Sequence, residues 1–503
     1  MNSLTEQLHD LLNGGKRLGP EVTITITILL LVVASIIYRK KEQHRYFAPI
    51  SIAGLLFAGL AIFIDWKSPS SSISESYFGN MLVYDQAGAY MQALVILGTL
   101  ITVFLTLYYR AEAFHKTAEY HILLMGMVLG SLFAVRTAHW AMAVLALELI
   151  SVCAYALTGF SNKRNGSEAA IKYLLFGATT TGLSLFGISL LYGISGSLDF
   201  SDMISSETLK AIEPPVFYVA TFLAVAGILF KLASFPFHPW AGDVYEGAPT
   251  PLVSFFSTVP KIAGIAILLR FIETLSGVEF QNPEIIQGSK ILLGAIAAVT
   301  ITGGNLLALS QRDVKRMMAF SSVSQGGLFI ATALCVTPSG FQALMFYLAV
   351  YLFMNTAAFM IIQIRENDGH GTSFRAFNGE GLKKPTYGIA TVLVMASLIG
   401  LPLTAGFTGK IRIFTAMWEA FATQQSTILL VIFITAVLNT VIALSFYLRL
   451  PYVMYFRSSD LTTKKLGKGE YALLVTLSAP VLFLFFDPEI VTSFIESIPA
   501  FFK

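Results

Sequence analysis

The sequence predicts an all-α polytopic membrane protein with about fourteen transmembrane helices. Of its 503 residues, 55% are hydrophobic and 13% are charged, whereas an average soluble chain is about 25% charged. Apolar runs long enough to cross a hydrocarbon core of about 30 Å, which takes about 20 helical residues, recur along the chain. Helices satisfy their backbone polar groups internally, so a helix is expected at each run.

Fourteen runs can be delimited, and they are numbered here as spans 1 to 14. They lie near residues 21–38, 47–64, 89–109, 118–136, 139–160, 170–195, 216–237, 252–274, 289–310, 316–337, 340–364, 387–420, 427–449 and 470–487. The segment before span 1 is polar and lacks a small-residue cleavage pattern, and basic residues follow the span. Span 1 is therefore expected to be an uncleaved first helix.

The basic residues predict the orientation, because Lys and Arg stay on the cytoplasmic side in short loops. With both termini outside, the cytoplasmic connections hold 20 of the 33 basic residues and the external segments hold 8. The most basic of the cytoplasmic connections are 38–46, 311–316 and the loop around Lys464, Lys465 and Lys468. This pattern suits a bacterial cytoplasmic membrane with both termini on the periplasmic side. The net charge of +3 reflects this loop asymmetry and suggests no nucleic-acid partner.

The two cysteines exclude several kinds of site. Cys153 and Cys335 fall within different spans, so neither a disulfide framework nor a cysteine metal or iron–sulfur site is indicated. The sequence also lacks phosphate-binding glycine motifs. We therefore expect no redox centre, cofactor or metal in this chain.

Five ionisable residues stand inside five different spans. A charge at the centre of a bilayer costs between about 2.5 and about 17 kcal/mol, depending on the method, and therefore indicates function. The five are Glu148 in span 5, Lys172 in span 6, Lys231 in span 7, Lys261 in span 8 and Lys410 in span 12.

Plainer interpretations remain open for some of these residues. Glu148 could be a packing residue neutralised by protonation, and Lys172 could extend its ammonium to the cytoplasmic surface. His139 and His238 lie near span ends and could be interfacial, while Arg412 lies close to Lys410.

Two spans are predicted to break near a lysine. A helix continuing through Pro236 and Pro239 would leave the carbonyls of Leu232 and Phe235 without donors, within a turn of Lys231. Irregular backbone at membrane depth persists only where protein or water satisfies it, so a hydrated pocket is expected there. Span 12 has 34 residues and would be about 50 Å long as one helix. Its expected break points are Pro402, Gly406 and Gly409.

The spacing of the two broken spans suggests an internal duplication. Five-helix units of spans 4–8 and 9–13 would face opposite ways across the membrane, as in the inverted repeats of transporters. The predicted divisions are 1–117 for helices 1–3, 118–276 for the first repeat, 289–450 for the second and 451–503 for helix 14.

These residues lie in motifs that resemble one family. The motifs are LELISVCAYALTGF, SEAAIKYLLFGA, FKLASFPFHPWAGDVYEGAPTP, NLLALSQRDVKRMMAFSSVSQGG and GLPLTAGFTGKIRIF, in that order. The chain resembles the antiporter-like subunits of proton-pumping NADH:quinone oxidoreductase, respiratory complex I, and among them subunit N. The residues after Glu148 contain no proline, unlike subunit M, and Lys410 matches the helix-12 lysine of subunit N.

The resemblance implies a proton pathway through Glu148, Lys172, Lys231, Lys261 and Lys410. It implies an ion pair between Glu148 and Lys231 and a relay at Lys261. FMN, iron–sulfur clusters and quinone would belong to partner subunits, and the neighbours would be subunit M and small membrane subunits. The chain departs from the family at FSSVSQGGL, where Ser324 and Gln325, with Tyr347, are candidate water ligands.

A physical mechanism follows from these charges. Desolvation disfavours the charged form of a buried lysine, and a nearby carboxylate favours it. Moving the charge of Glu148 toward or away from Lys231 would make the lysine gain and lose a proton in turn.

Two other functions fit the architecture. A subunit of a multisubunit sodium/proton antiporter would share the fold, but sodium needs several oxygen ligands and the intramembrane set is chiefly lysine. A metabolite symporter would use the broken helices as a substrate site, but five charged positions add nothing to such a site.

Overall fold

A computed structural model describes residues 2–37, 46–67, 74–109, 117–160, 164–205, 212–277, 283–458, 461 and 464–499. The basic stretch 38–45, on which the predicted orientation partly rests, lies outside the described residues. Residues 206–211, between spans 6 and 7, also lie outside the described residues. The chain forms two compact units.

Unit 1 comprises Met1–Lys231, Val259–Leu292 and Ile498–Lys503. Its helices are α1 (Asn2–Arg17), α2 (Gly19–Ile37), α3 (Phe47–Lys67), α4 (Gln86–Tyr109), α5 (Ala118–Ala134), α6 (Trp140–Thr158), α7 (Arg164–Ser195), α8 (Phe200–Ser205), α9 (Pro214–Ala224) and α10 (Ala226–Lys231). A short antiparallel hairpin of β1 (Glu75–Tyr77) and β2 (Leu82–Tyr84) joins α3 to α4.

Unit 2 comprises Leu232–Thr258 and Leu293–Ser497. Two helices, α12 (Thr250–Gly277) and α13 (Pro283–Ser310), contribute residues to both units. The others in unit 2 are α11 (Trp240–Gly247), α14 (Val314–Ala333), α15 (Pro338–Asn367), α16 (Glu380–Lys383), α17 (Pro385–Ile399), α18 (Ala405–Gln424), α19 (Thr427–Phe456), α20 (Lys468–Phe486) and α21 (Glu489–Glu496), with a 3₁₀ turn at Phe374–Phe377.

The all-α membrane fold is confirmed. Within the described ranges, ten helices are long and apolar enough to cross a membrane, and three shorter apolar helices accompany them. Every predicted span coincides with one helix or, at spans 7 and 12, with a pair of shorter helices. The division into inverted repeats stays a prediction.

The break in span 7 lies earlier than the prolines suggested. Helix α9 ends at Ala224, α10 ends at Lys231, and residues 232–239 are not helical. The predicted break near Lys231 is therefore present, and both prolines lie in the non-helical stretch. Ala233 has a positive φ of 54°, which takes the chain out of the helical path before the first proline is reached.

The break in span 12 lies between α17 and α18, at residues 400–404. Gly400 has a φ of 89°, a conformation that residues with a Cβ rarely adopt. Pro402 lies in the break as expected, whereas Gly406 and Gly409 lie inside α18. Their missing side chains instead allow close packing, since a Cβ would collide with the Ser397 carbonyl at Gly406 and with the ring of Tyr347 at Gly409.

Candidate functional site

Lys231 is the last residue of α10, and its side chain is 2% exposed. Within the described ranges, its Nζ has no hydrogen-bond partner. Three rings surround the ammonium, with centroids 5.7 Å away for Tyr155, 5.4 Å for Tyr173 and 5.3 Å for Phe230. A ring face stabilises a cation at such distances, so the pocket tolerates the charged lysine without fixing it by a hydrogen bond.

Glu148 lies on α6, half-buried, and accepts a hydrogen bond from the hydroxyl of Thr181 on α7. Its charge interacts with Lys231 through space. The two side chains make no direct ion pair among the contacts of the described residues. The structure therefore brings the two groups into electrostatic range without a contact, and the pairing of their charges stays a prediction.

The backbone beside Lys231 is satisfied by a neighbouring helix. The hydroxyl of Ser184 on α7 donates to the carbonyl of Ala224, 2.5 Å away, where α9 ends. A Cβ at Gly187 would collide with the backbone at Ala224. Small residues on α7 therefore let a broken helix pack closely, which is how membrane proteins tolerate such breaks.

Lys172 is placed differently from Lys231. Its side chain is 41% exposed, and its Nζ lies 2.9 Å from Glu168, four residues earlier on α7. The contact is the i, i+4 pair of a helix surface. This geometry fits the plainer interpretation, and a role for Lys172 in a pathway stays a prediction.

Lys261 is 1% exposed on α12. Pro260 precedes it, and α12 nevertheless continues unbroken from Thr250 to Gly277. Proline cannot donate to the carbonyl four residues earlier, here that of Phe256. The lysine thus lies beside one missing backbone hydrogen bond in an otherwise regular helix.

Lys410 lies on α18 and is 5% exposed. Its Nζ donates to the carbonyls of Leu398, 2.9 Å away, and Ile399, 2.8 Å away. These carbonyls belong to the last turn of α17, where a helix leaves its acceptors unpaired and carries partial negative charge. Lys410 on α18 therefore caps the C-terminal end of α17.

A cavity of about 20 Å³ lies beside Lys410 and is lined also by Ser324, Gln325, Asn305 and Asn439. This volume accommodates a water molecule when polar partners are present. The hydroxyl of Tyr347 donates to Gln325, 2.8 Å away. The structure thus groups the three candidate water ligands predicted from the sequence around Lys410.

The sequence analysis missed the two asparagines of this cavity. The Asn305 amide nitrogen lies 3.1 Å from the side-chain oxygen of Asn439, whose own nitrogen donates to Thr302 at 3.0 Å. Both asparagines stand inside predicted spans, and a buried amide in an apolar run could have indicated them.

Buried hydroxyls extend this polar region. The Ser322 hydroxyl lies 3.3 Å from the hydroxyl of Tyr245 and 3.0 Å from that of Tyr351. Ser321 is hydrogen-bonded to Tyr447. Chains of hydroxyls can carry protons when water joins them.

The two histidines have structural contacts. His139 precedes α6 and accepts a hydrogen bond from the backbone N–H of Ala141, 3.2 Å away, as an N-cap does. His238 stacks on Phe235, with ring centroids 3.6 Å apart. In the part of the chain that the structure describes, no group of three or more His, Cys, Asp or Glu residues could hold a metal ion.

Buried lysines beside broken helices are typical of membrane proteins that move protons or cations. The sequence profile described as NADH:quinone oxidoreductase/Mrp antiporter, TM, matches residues 137–439. The chain belongs to this family.

Relatives and solved structures agree with this assignment. NADH-quinone oxidoreductase subunit N 2 of Sorangium cellulosum is 34% identical, over 88% of this chain and 89% of the relative. NAD(P)H-quinone oxidoreductase subunit 2 of Synechococcus sp. is 33% identical, over 86% of this chain and 79% of the relative. A chain of respiratory complex I from Thermus thermophilus with bound aureothin has a TM-score of 0.77 at 26% identity, covering 95% of this chain and 100% of that chain.

A chain of the Mrp complex from Dietzia sp. also has a TM-score of 0.77. Its identity is 19%, over 96% of each chain, so this likeness concerns the fold alone.

Proposed function

We propose that the chain is the proton-translocating membrane subunit N of an NADH:quinone oxidoreductase. The observation that carries the proposal is the set of buried lysines, since Lys231, Lys261 and Lys410 are each at most 5% exposed and Lys231 and Lys410 lie at helix breaks. Each can hold or release a proton where water or a carboxylate reaches it. The chain contributes to the enzyme as a translocase subunit.

In unit 1, Glu148 would control whether Lys231 holds a proton. A carboxylate in electrostatic range favours the charged lysine, whereas the apolar and aromatic surroundings disfavour it. A small movement of either group would therefore change the proton occupancy of Lys231. In unit 2, Lys410 would exchange its proton with the water that its polar cavity accommodates.

The driving force would come from partner subunits. FMN, iron–sulfur clusters and quinone would reside there, with subunit M and small membrane subunits as neighbours. The membrane would be a bacterial cytoplasmic membrane, with both termini external. The boundaries 1–117, 118–276, 289–450 and 451–503 would separate the N-terminal helices, two repeats and the C-terminal helix.

Purification of the chain with its natural partners tests the proposal. Co-purification with flavin- and iron–sulfur-containing subunits, together with NADH-driven proton pumping, is the expected result. A redox-inactive membrane complex that exchanges sodium for protons would overturn the proposal in favour of the antiporter.

The predicted orientation can be tested with single cysteines, since both native cysteines are buried. An impermeant maleimide should label Lys465→Cys only after the membrane is opened, because the basic loop is expected inside. Gln425→Cys, in the connection between α18 and α19, should be labelled on intact cells. Labelling of Lys465→Cys from outside would refute the orientation.

Lys261→Ala is expected to leave assembly intact and to reduce proton pumping per NADH oxidised. The reason is that Lys261 is 1% exposed, so bulk water cannot take over the binding and release of its proton. Lys261→Met keeps most of the side-chain volume and should show the same loss, which separates charge from packing. Normal pumping by an assembled variant would show that Lys261 is not a relay.

A further inference from the structure

A second buried polar cluster lies in unit 1, away from the lysines. Glu21 stands in the first turn of α2 and is 2% exposed. Its Oε1 accepts a hydrogen bond from Nε2 of Gln92 on α4, 2.6 Å away, whereas Oε2 has no hydrogen-bond partner within the described ranges. A buried carboxylate with an unpartnered oxygen is costly unless it binds a proton or meets water.

Arg136, which follows α5, is the guanidinium whose charge reaches Glu21. It is 2% exposed, lies over the ring of Tyr84 with 4.2 Å to the centroid, and approaches Asp65 at 3.9 Å. Its Nε has no hydrogen-bond partner in the described parts of the chain. One guanidinium is therefore shared between the carboxyl groups of Glu21 and Asp65.

The neighbouring arginines also contact other carboxylates. Arg270 on α12 holds Asp85 with two hydrogen bonds of 2.8 and 3.0 Å. Arg17 lies 3.6 Å from Glu75. Glu273 adds another carboxyl group beside Arg270.

Carboxyl groups outnumber guanidinium groups in the cluster. Five carboxyl groups face three guanidinium groups. The members are Glu21, Asp65, Glu75, Asp85 and Glu273 on one side and Arg17, Arg136 and Arg270 on the other. Among these groups, the charges that act on Glu21 are those of Arg136, which favours its ionised form, and of Asp65, which disfavours it.

A cavity lies at the edge of the cluster, and Glu21 is not among the residues that line it. Its volume is about 20 Å³, and Asp65, Tyr84 and Arg136 line it, so it can hold a water molecule. The side chains of Asp65 and Glu75 at its mouth are 23% and 35% exposed. Burial, and secondarily the charge of Glu21, raises the pKa of Tyr84, so its hydroxyl stays neutral and can donate to that water.

We propose that Glu21 is a proton-binding residue that exchanges with bulk water through this cavity, with Asp65 as the outer carboxyl group. The cluster lies at the helix ends that the charge pattern predicts to be external. Its members lie on α1, α2, α3, β1 and α12 and in the connections before α4 and after α5, so it adds a proton site outside the lysine series. The inference does not depend on the proposed function, because its readout is the carboxyl group itself.

Infrared spectroscopy of the purified membrane complex that contains the chain can detect this proton. The spectrum of the wild type minus that of Glu21→Gln at neutral pH should contain a protonated-carboxyl band. Transfer to D₂O should shift the band within minutes. Tyr84→Phe should slow the shift by at least an order of magnitude, because the cavity water loses a donor.

Controls separate this site from a structural role. Glu366→Gln removes a carboxylate held by Lys315 at 3.1 Å and should remove no protonated-carboxyl band. Glu21→Asp should retain a shifted band even if Glu21→Gln fails to assemble. Absence of the band in wild-type minus variant spectra, or a band that does not respond to D₂O, would overturn the proposal.

Discussion

Replacing Lys231 with alanine is expected to lower proton pumping by on the order of 100-fold in the assembled complex, a typical contribution of a positioned proton-transfer group. The side chain is buried with no hydrogen-bond partner in the described ranges, so its loss removes a proton carrier and leaves no broken hydrogen bond. Stability should change little in comparison. The measurement is pumping per NADH oxidised in reconstituted vesicles.

Glu148→Gln should also stall the pathway. Glutamine retains an acceptor for the Thr181 hydroxyl but removes the charge that acts on Lys231. The charged form of Lys231 then loses its electrostatic support, and the lysine remains neutral through the cycle. Redox activity measured without a membrane gradient tests whether the partner subunits remain intact.

The combined variant tests whether the two charges act as one unit. Its loss of pumping should be much smaller than the product of the two single losses, since each single change already disables the pair. Lys67→Ala, on an exposed lysine over the ring of Phe63, serves as the control and should pump normally. A loss in the combined variant equal to the product of the two single losses would show that Glu148 and Lys231 act independently.

The spans could be predicted because membrane helices require apolar length, which is visible in the sequence. The break in span 12 was visible only in part, since Pro402 lies in it, whereas Gly406 and Gly409 lie inside α18 and the role of Gly400 was not predicted. In span 7 the prolines indicated the non-helical stretch at 232–239, but not the earlier interruption between Ala224 and Ala226, which depends on tertiary contacts. Ser184 satisfies the carbonyl of Ala224, and no local rule reveals a donor forty residues earlier.

The residues of the candidate site were likewise predictable only where they are unusual in their local sequence. Lys231, Lys261 and Lys410 stood out because a charge inside an apolar run is costly. Glu21 and Arg136 did not, because charges near span ends are ordinarily solvated and the sequence does not show that these are buried. Short polar elements, such as the β1–β2 hairpin and α11, were also missed because they carry no long apolar run.

Lys410→Ala is expected to lower both stability and proton pumping. The substitution leaves the carbonyls of Leu398 and Ile399 without their donor, and an unsatisfied buried acceptor costs about 1 to 3 kcal/mol. It also removes a positive charge from the C-terminal end of α17, worth about 0.3 to 2 kcal/mol. Thermal unfolding of the complex and pumping in vesicles measure the two effects.

Lys410→Arg separates the two roles of this lysine. Arginine can donate to both carbonyls and keeps the charge, but it does not release a proton in proteins. Stability should therefore stay close to that of the wild type, while pumping falls as in Lys410→Ala. Thr423→Val, on an exposed position of the same helix, is the matched control. Normal pumping by Lys410→Arg would show that Lys410 acts only as a cap, and undiminished stability of Lys410→Ala would show that the cap contributes nothing.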